Sequence, residues 1–180
     1  LKHYKYRHSV LSPIYFNCPQ ERRRCYVVFF TGSFEFPTQK LTSLTYKDVI
    51  DPIDKSMSSY PIIPYHEKII KEALEKYGKS WNGGVNNINT LSKQVHEDKK
   101  TPRPTSMYCR CLISDNKTIV FELHRYLTVN ELLKFQGFSP KKVKVSGLSY
   151  NKINKLMGNA MNVKILEALF KQIVLMNPDI

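Results

Sequence analysis

Acidic residues are scarce in this chain. Asp and Glu total 15 against 28 Lys and Arg, leaving a formal net charge of +13 over 180 residues. A balance this basic points to a polyanionic partner, either nucleic acid or an anionic membrane surface. Long apolar runs are also missing. No segment approaches the ~20 consecutive apolar residues that a membrane span needs. The basic start, LKHYKYRHSV, lacks the apolar centre of a signal peptide. The best helical segments are not especially basic, which disfavours a membrane-surface anchor. Nucleic acid is therefore the favoured partner, and no membrane partner is expected. With no secretion signal, an intracellular location and reduced thiols are expected.

Cysteine is sparse and spaced against zinc. Cys109 and Cys111 are too close for a zinc-finger pair, and Cys18 and Cys25 too far apart. No metal site is expected. No internal repeat is present. The first residue is leucine, not methionine. The expectation is a processed chain or one piece of a longer polypeptide.

What is present suffices for a core, since 42% of the residues are hydrophobic. Leu1 to Ser12 is basic and aromatic, with Val10 and Leu11 as a short apolar pair. A turn follows at Asn17-Cys18-Pro19. Cys25 to Phe30 is a continuous run of β-branched and aromatic residues, which predicts a strand buried on both faces. Gln20, Arg22 and Arg24 precede it at alternate positions. In extended chain all three point to one side, where they form either a solvated charge cluster at a strand end or, with long donors converging, an anion or base-edge site.

Gly32 to Thr38 breaks regular structure, and Tyr46 to Pro64 reads as loop. Tyr65 to Tyr77 is a helix, with Ile69, Ile70, Ala73, Leu74 and Tyr77 on one stripe. Ser80 to Thr90 is rich in Asn and Gly. Within and beside it, Trp81, Asn82, Gly83, Gly84, Asn86 and Asn87 are the candidate base-reading residues. Amide side chains match adenine edges, aromatic rings can wedge between bases, and Gly83-Gly84 permits positive φ. Lys79, Lys99, Lys100 and Arg103 are the candidate phosphate contacts. Ser106 to Ile113 and Thr118 to Leu123 read as two strands joined by a turn at Ser114 to Lys117. Thr128 caps a helix through Leu133, with Glu131 as its capping-box partner, and Gly137 ends it. Pro140 to Val145 is a basic loop. Ser149 caps a helical turn toward Leu156, which Gly158-Asn159-Ala160 interrupts. Asn162 caps a last helix to about Met176, with Val163, Leu166, Leu169, Phe170 and Ile173 as its buried stripe.

Three of these stretches, in this order, resemble motifs of the cytosine-C5 DNA methyltransferase family. Gln20, Arg22 and Arg24 after Cys18-Pro19 are similar to its Pro-Gln-x-Arg-x-Arg segment, the eighth motif. Arg125, Leu127, Thr128, Glu131, Gln136, Gly137 and Phe138 resemble the ninth. Gly158-Asn159-Ala160 and the helix after it resemble the tenth. The variable stretch from about Phe36 to Glu122 takes the place of the target-recognition region. The family's Pro-Cys-Gln nucleophile motif, its Glu-Asn-Val triplet and its Phe-x-Gly-x-Gly loop are all absent from the 180 residues.

The resemblance implies an α/β fold. It would be the C-terminal portion of a Rossmann-like S-adenosylmethionine-dependent methyltransferase, with a small mixed α+β target-recognition domain. Residues 1–36 would end the catalytic domain, 37–145 would form the recognition domain including the ninth motif, and 146–180 would return to the catalytic domain. The implied reaction adds a cysteine thiolate to C6 of a flipped cytosine, with methyl transfer from S-adenosylmethionine to C5. Arg24 would contact the cytosine at O2, Arg22 would help orient the catalytic carboxylate, and Gln20 would support the loop. Gly158, Asn159 and Ala160 would close the cofactor pocket. Arg125 and Glu131 would brace the recognition domain. The implied partners are double-stranded DNA and an N-terminal half or subunit carrying the nucleophilic cysteine, without which no activity is expected. Two other readings stand beside this one: an inactive DNA-binding or regulatory module, and a tRNA cytosine-C5 methyltransferase.

Overall fold

Antiparallel pairing of two seven-residue strands sets the N-terminal architecture. The computed structural model describes residues 3–51, 62–77, 84–88, 91–92, 96 and 107–178. Within these, β1 (Lys5–Leu11), β2 (Gln20–Glu21) and β3 (Arg24–Phe30) come first, and β1 pairs with β3 from Lys5 opposite Phe30 to Leu11 opposite Arg24. β1 has no apolar alternation, and only Leu11 in it is buried. Its partner strand, not its own pattern, holds it in place, which is why the sequence pattern did not mark it as a strand.

β3 corrects the expectation of a strand buried on both faces. Tyr26 is buried and Val28 and Phe30 are partly covered, while Cys25, Val27 and Phe29 are exposed. The described residues cover one side of the hairpin only. That side packs on the last helix. Leu11, Tyr26 and Phe34 form a small core with Ile165 and Leu169.

The second core is larger. α1 (Pro64–Tyr77) buries Ile69, Ile70 and Ala73, with Leu74 and Tyr77 packed at its edge. β4 (Val85–Asn87), β6 (Thr118–Val120) and β7 (Arg125–Tyr126) make an antiparallel sheet in the order 4-6-7. β5 (Cys109–Arg110) stands apart and pairs in parallel with β2. The expected hairpin from Ser106 to Leu123 is thus only a tight turn, closed by a bridge between Ile113 and Asn116, whose two arms join different sheets. Leu123 also lies outside the strand, in a 3-10 turn from Phe121 to Leu123.

Three helices follow. In α2 (Val129–Phe135), Thr128 Oγ1 accepts from the Glu131 N–H at 3.2 Å, and Glu131 Oε2 accepts from the Thr128 N–H at 2.7 Å. The expected capping box is therefore present, and Gly137 turns the chain at φ +79°. α3 (Tyr150–Asn159) is capped by Ser149 and buries Tyr150, Ile153 and Met157 in the larger core. Gly158 and Asn159 are its last helical residues, so the break comes at Ala160 and not before them.

α4 (Val163–Met176) is capped by Asn162, whose Oδ1 accepts from the Lys164 N–H at 3.0 Å. Its buried face keeps Leu169 of the expected stripe, with Leu166 and Ile173 packed at its edge, but centres on Ile165 and leaves Phe170 out. Ile165 and Leu169 are buried, whereas Phe170 is 63% exposed. The helix is apolar on two sides, and periodicity alone cannot choose between them. Packing against the hairpin selects the Ile165 side. No helix among the described residues is long and apolar enough to cross a membrane.

Candidate catalytic-support and cofactor-closing site

Chain segments far apart in sequence meet around the guanidinium of Arg22. This side chain is buried just after β2. Nη1 donates to the Leu112 carbonyl at 2.9 Å and to Cys111 Sγ at 3.0 Å. Nη2 donates to the Gly158 carbonyl at 3.0 Å. The Arg22 backbone N–H donates to Ser12 Oγ at 3.2 Å. One buried cation thus ties the 20–24 segment to β1's end, to the residues just after β5, and to the end of α3. A guanidinium suits this task because its donors fan out in one plane and stay charged at every relevant pH.

Arg24 opens β3 on the same side of the chain. Its Nη1 donates to the Arg23 carbonyl at 2.7 Å, and its Nη2 lies 3.4 Å from the same Cys111 Sγ. Its side chain is exposed. Arg22 and Arg24 therefore converge, as the alternate spacing predicts, but with different freedom. Arg22 spends its Nη donors inside the chain, so its geometry is that of a clamp. Arg24 keeps an open face.

Gln20 departs from its expected place. It is wholly buried, and neither amide atom has a partner among the described residues. It presents nothing to an open site. The turn before it is held by backbone instead. The Gln20 N–H donates to the Cys18 carbonyl at 2.8 Å, and the Pro19 carbonyl accepts from the Cys109 N–H at 2.8 Å.

Gly158 is glycine for a reason visible in the packing. A Cβ there would fall 2.2 Å from the Ser114 backbone N and 2.4 Å from its Cα. The close backbone approach that glycine permits is made here to the Ser114 turn. Asn159 and Ala160 remain as candidates that face outward. Asn159 is exposed, and Ala160 leaves the helix in extended geometry at φ −66°, ψ 148°. A carboxamide both donates and accepts. That donor set fits the amino-acid end of S-adenosylmethionine, which carries a carboxylate and an ammonium.

The ninth-motif residues hold this arrangement from behind. Arg125 grips Glu131 with two prongs, at 2.8 and 2.7 Å, and Glu131 also accepts from the Asp51 N–H at 2.9 Å. Lys134 pairs with Asp51. Gln136 Nε2 donates to the Met157 carbonyl at 2.5 Å, and the Gln136 carbonyl accepts from the Val163 N–H at 2.9 Å. Asn162 Nδ2 donates to the Phe135 carbonyl at 3.2 Å and lies 3.4 Å from Cys18 Sγ. Burial pushes the Cys18 thiol above its ordinary pKa, and pushes the fully buried Cys109 thiol well above it. These two thiols are structural and poor nucleophiles.

The candidate DNA readers divide. Trp81, Asn82, Gly83, Lys79, Lys99, Lys100 and Arg103 lie outside the described residues. Gly84 adopts φ +55°, the left-handed geometry expected of the glycine pair. Asn86 and Asn87 are corrected. Both are buried. Asn87 Nδ2 donates to the Cys111 carbonyl at 3.0 Å, and its Oδ1 accepts from Thr118 Oγ1 at 2.8 Å. Asn86 Oδ1 accepts from the Asn87 N–H at 2.9 Å, so both side chains are engaged within the fold and are not free to read bases. Sequence reasoning also missed Cys111, because the Cys109-x-Cys111 pair was weighed only for zinc spacing.

An α/β framework with paired arginines, a bracing ion pair and a Gly-Asn helix end defines the class, and the chain belongs to the C-5 cytosine-specific DNA methylase family, which matches residues 2–175. It is 29% identical over 177 residues to the type II methyltransferase M.MspI of Moraxella, covering 96% of this chain and 38% of that protein. Two solved structures share the fold. S. pombe Dnmt2 methyltransferase aligns at TM-score 0.58 and 20% identity, over 96% of this chain and 57% of that one. The Entamoeba histolytica methyltransferase EhMeth aligns at TM-score 0.55 and 19% identity, over 99% and 55%. The chain thus spans less than two thirds of each relative.

Proposed function

We propose that this chain is the recognition and cofactor-closing part of a DNA (cytosine-5-)-methyltransferase. It acts with an N-terminal half, either a separate subunit or a preceding segment, that carries the nucleophilic cysteine. The observation that carries the reading is the Arg22 clamp. It fastens the arginine segment to the Gly158 helix end and to Cys111 just after β5, leaving the Arg24 guanidinium exposed. The chain therefore presents a charged donor for a flipped base, linked through Cys111 and Arg22 to the helix end that carries Asn159.

S-adenosylmethionine supplies the methyl group when bound. The chain's own residues position and enclose. Arg24 would donate to the cytosine carbonyl oxygen, where negative charge grows as a thiolate adds to the ring. Arg22 holds the strand from which Arg24 projects. Asn159 would offer its amide to the polar end of the cofactor. The net charge of +13 would draw duplex DNA to the protein and make its binding fall steeply with salt.

Two uncovered apolar faces support a partner half. On the outer side of the hairpin, Tyr6 stands opposite Phe29 with ring centroids 6.0 Å apart, beside exposed Val10 and Val27. On α4, Val163, Leu166, Phe170, Val174 and Leu175 line a shallow cleft. Contiguous apolar surface of this kind marks an interface.

The test is reconstitution. This chain is mixed with a Pro-Cys-Gln-bearing N-terminal half, and transfer from labelled S-adenosylmethionine is measured on duplex DNA and on tRNA. Transfer to DNA supports the proposal, transfer to tRNA alone replaces the substrate, and no transfer with intact DNA binding leaves a binding module.

A further inference from the structure

We infer that Cys111 is a positioning residue that sets the direction of the Arg24 guanidinium, linking the recognition region to the arginine pair. The inference rests on the proposed role of Arg24. Three observations carry it.

First, a single sulfur takes both arginines. Arg22 Nη1 lies 3.0 Å from Cys111 Sγ and Arg24 Nη2 lies 3.4 Å from it. The thiol proton has its own acceptor, because Sγ lies 3.4 Å from the Leu112 carbonyl. That leaves the sulfur lone pairs to the two cations. Second, the contacts of Arg24 among the described residues are few. Apart from Cys111, its guanidinium is held there by the carbonyl of its own neighbour Arg23 at 2.7 Å. An exposed guanidinium with one contact next door in sequence can swing, and the sulfur supplies the long-range contact that fixes its plane. Third, Cys111 is fastened from the recognition side. Its carbonyl accepts from Asn87 Nδ2 at 3.0 Å, and Asn87 is buried in β4, which starts directly after Gly84 at φ +55°. A shift of β4 would pass through Asn87 to Cys111, and from there to Arg24.

Cys111 does not touch the substrate in this scheme. It acts through Arg24, and removing it costs orientation, not charge. Misplacing a transition-state donor by about 1 Å can lower a rate by roughly a hundredfold, and partial loss of one weak anchor costs less. Sulfur is a weak acceptor and serine a smaller, stronger one, so Cys111→Ser retains an acceptor whereas Cys111→Ala does not.

The experiment uses the reconstituted enzyme of the preceding proposal, with Cys111→Ala, Cys111→Ser, Arg24→Gln and the Ala–Gln double variant. Steady-state methyl transfer is measured for each. The expected result for Cys111→Ala is a kcat lower by about tenfold with the DNA KM within about twofold. Cys111→Ser should recover most of that loss. The double variant should be no slower than Arg24→Gln, because both changes act on one guanidinium. A kcat for Cys111→Ala within about twofold of wild type overturns the inference while the parent reading stands. So does a double variant whose losses multiply, or a Cys111→Ser variant no better than Cys111→Ala. If the wild-type pair transfers no methyl group, the parent reading fails, and the inference falls with it.

Discussion

Arg125 and Glu131 meet in a two-pronged ion pair, at 2.8 and 2.7 Å, with the Glu131 side chain wholly buried and that of Arg125 12% exposed. The same carboxylate caps α2 through the Thr128 N–H and accepts from the Asp51 N–H. The carboxylate also holds the Arg125 guanidinium charged by hydrogen bonding, against the penalty of burial. Removing one partner strands the other in a dry site. Glu131→Ala is expected to cost about 3–5 kcal/mol. Arg125→Lys keeps the charge but loses the fork, and should cost less, about 1–3 kcal/mol. Urea denaturation of both variants checks the order. Equal midpoints for wild type and Glu131→Ala would remove the brace from this account.

Gly158 and Asn159 are neighbours with separable roles. Gly158→Ala drives a methyl group into the Ser114 backbone and should destabilise by about 1–3 kcal/mol. Asn159→Ala changes an exposed position and should leave stability within about 0.5 kcal/mol. In the reconstituted enzyme it should instead weaken S-adenosylmethionine binding. Calorimetric titration with the cofactor, beside denaturation of each variant, separates packing from binding. Unchanged cofactor affinity in Asn159→Ala would take this residue out of the pocket.

The outer face of α4 offers a test of assembly. Phe170 lies on that face and outside the buried core of the chain. Phe170→Asp should leave the chain's own stability within about 0.5 kcal/mol, yet weaken association with the N-terminal half by tenfold or more. Sedimentation of mixtures at graded concentrations measures this. Undiminished association would show that the partner covers another surface.

Acid and alkali act on different groups. Burial, and then the charge of Lys117, lower the pKa of His66 below its ordinary 6.5, and its Nδ1 lies 2.6 Å from the Tyr126 hydroxyl. The unfolded chain therefore binds this proton more readily than the folded one. The resulting stability is present above pH 6.5 and is lost as pH falls through the lowered value. His66→Gln should flatten the acid limb of a stability profile. The thiols of Cys18 and Cys109 have the opposite sign. Their raised values keep them protonated in the fold while the unfolded chain ionises near 9.0, so stability declines as pH rises past that point. A profile of melting temperature between pH 5 and about 10 reads both limbs.

The parts legible in the sequence were those governed by local chemistry. The Thr128–Glu131 capping box, the Asn162 cap, the α1 stripe and the convergence of Arg22 with Arg24 follow from spacing over a few residues. What stayed hidden depends on partners distant in the chain. β1 carries no alternation, since β3 supplies its hydrogen bonds. Asn86 and Asn87 look like base readers in a polar stretch, and only the strand beside them shows that Cys111 and Thr118 use up Asn87. Gly158 looks like a cofactor glycine until Ser114 is seen packed upon it.

The sequence by itself determined the family, the basic character and the caps that start the last three helices, because motif spacing, charge and capping are properties of short stretches. The tertiary structure decided which face of α4 is buried, which arginine is a clamp and which is free, and which cysteine sits between them. Those outcomes turn on contacts between residues about 90 to 140 positions apart, such as Arg22 with Cys111 and with Gly158. No local pattern encodes such contacts, since they exist only once the strands and helices have packed.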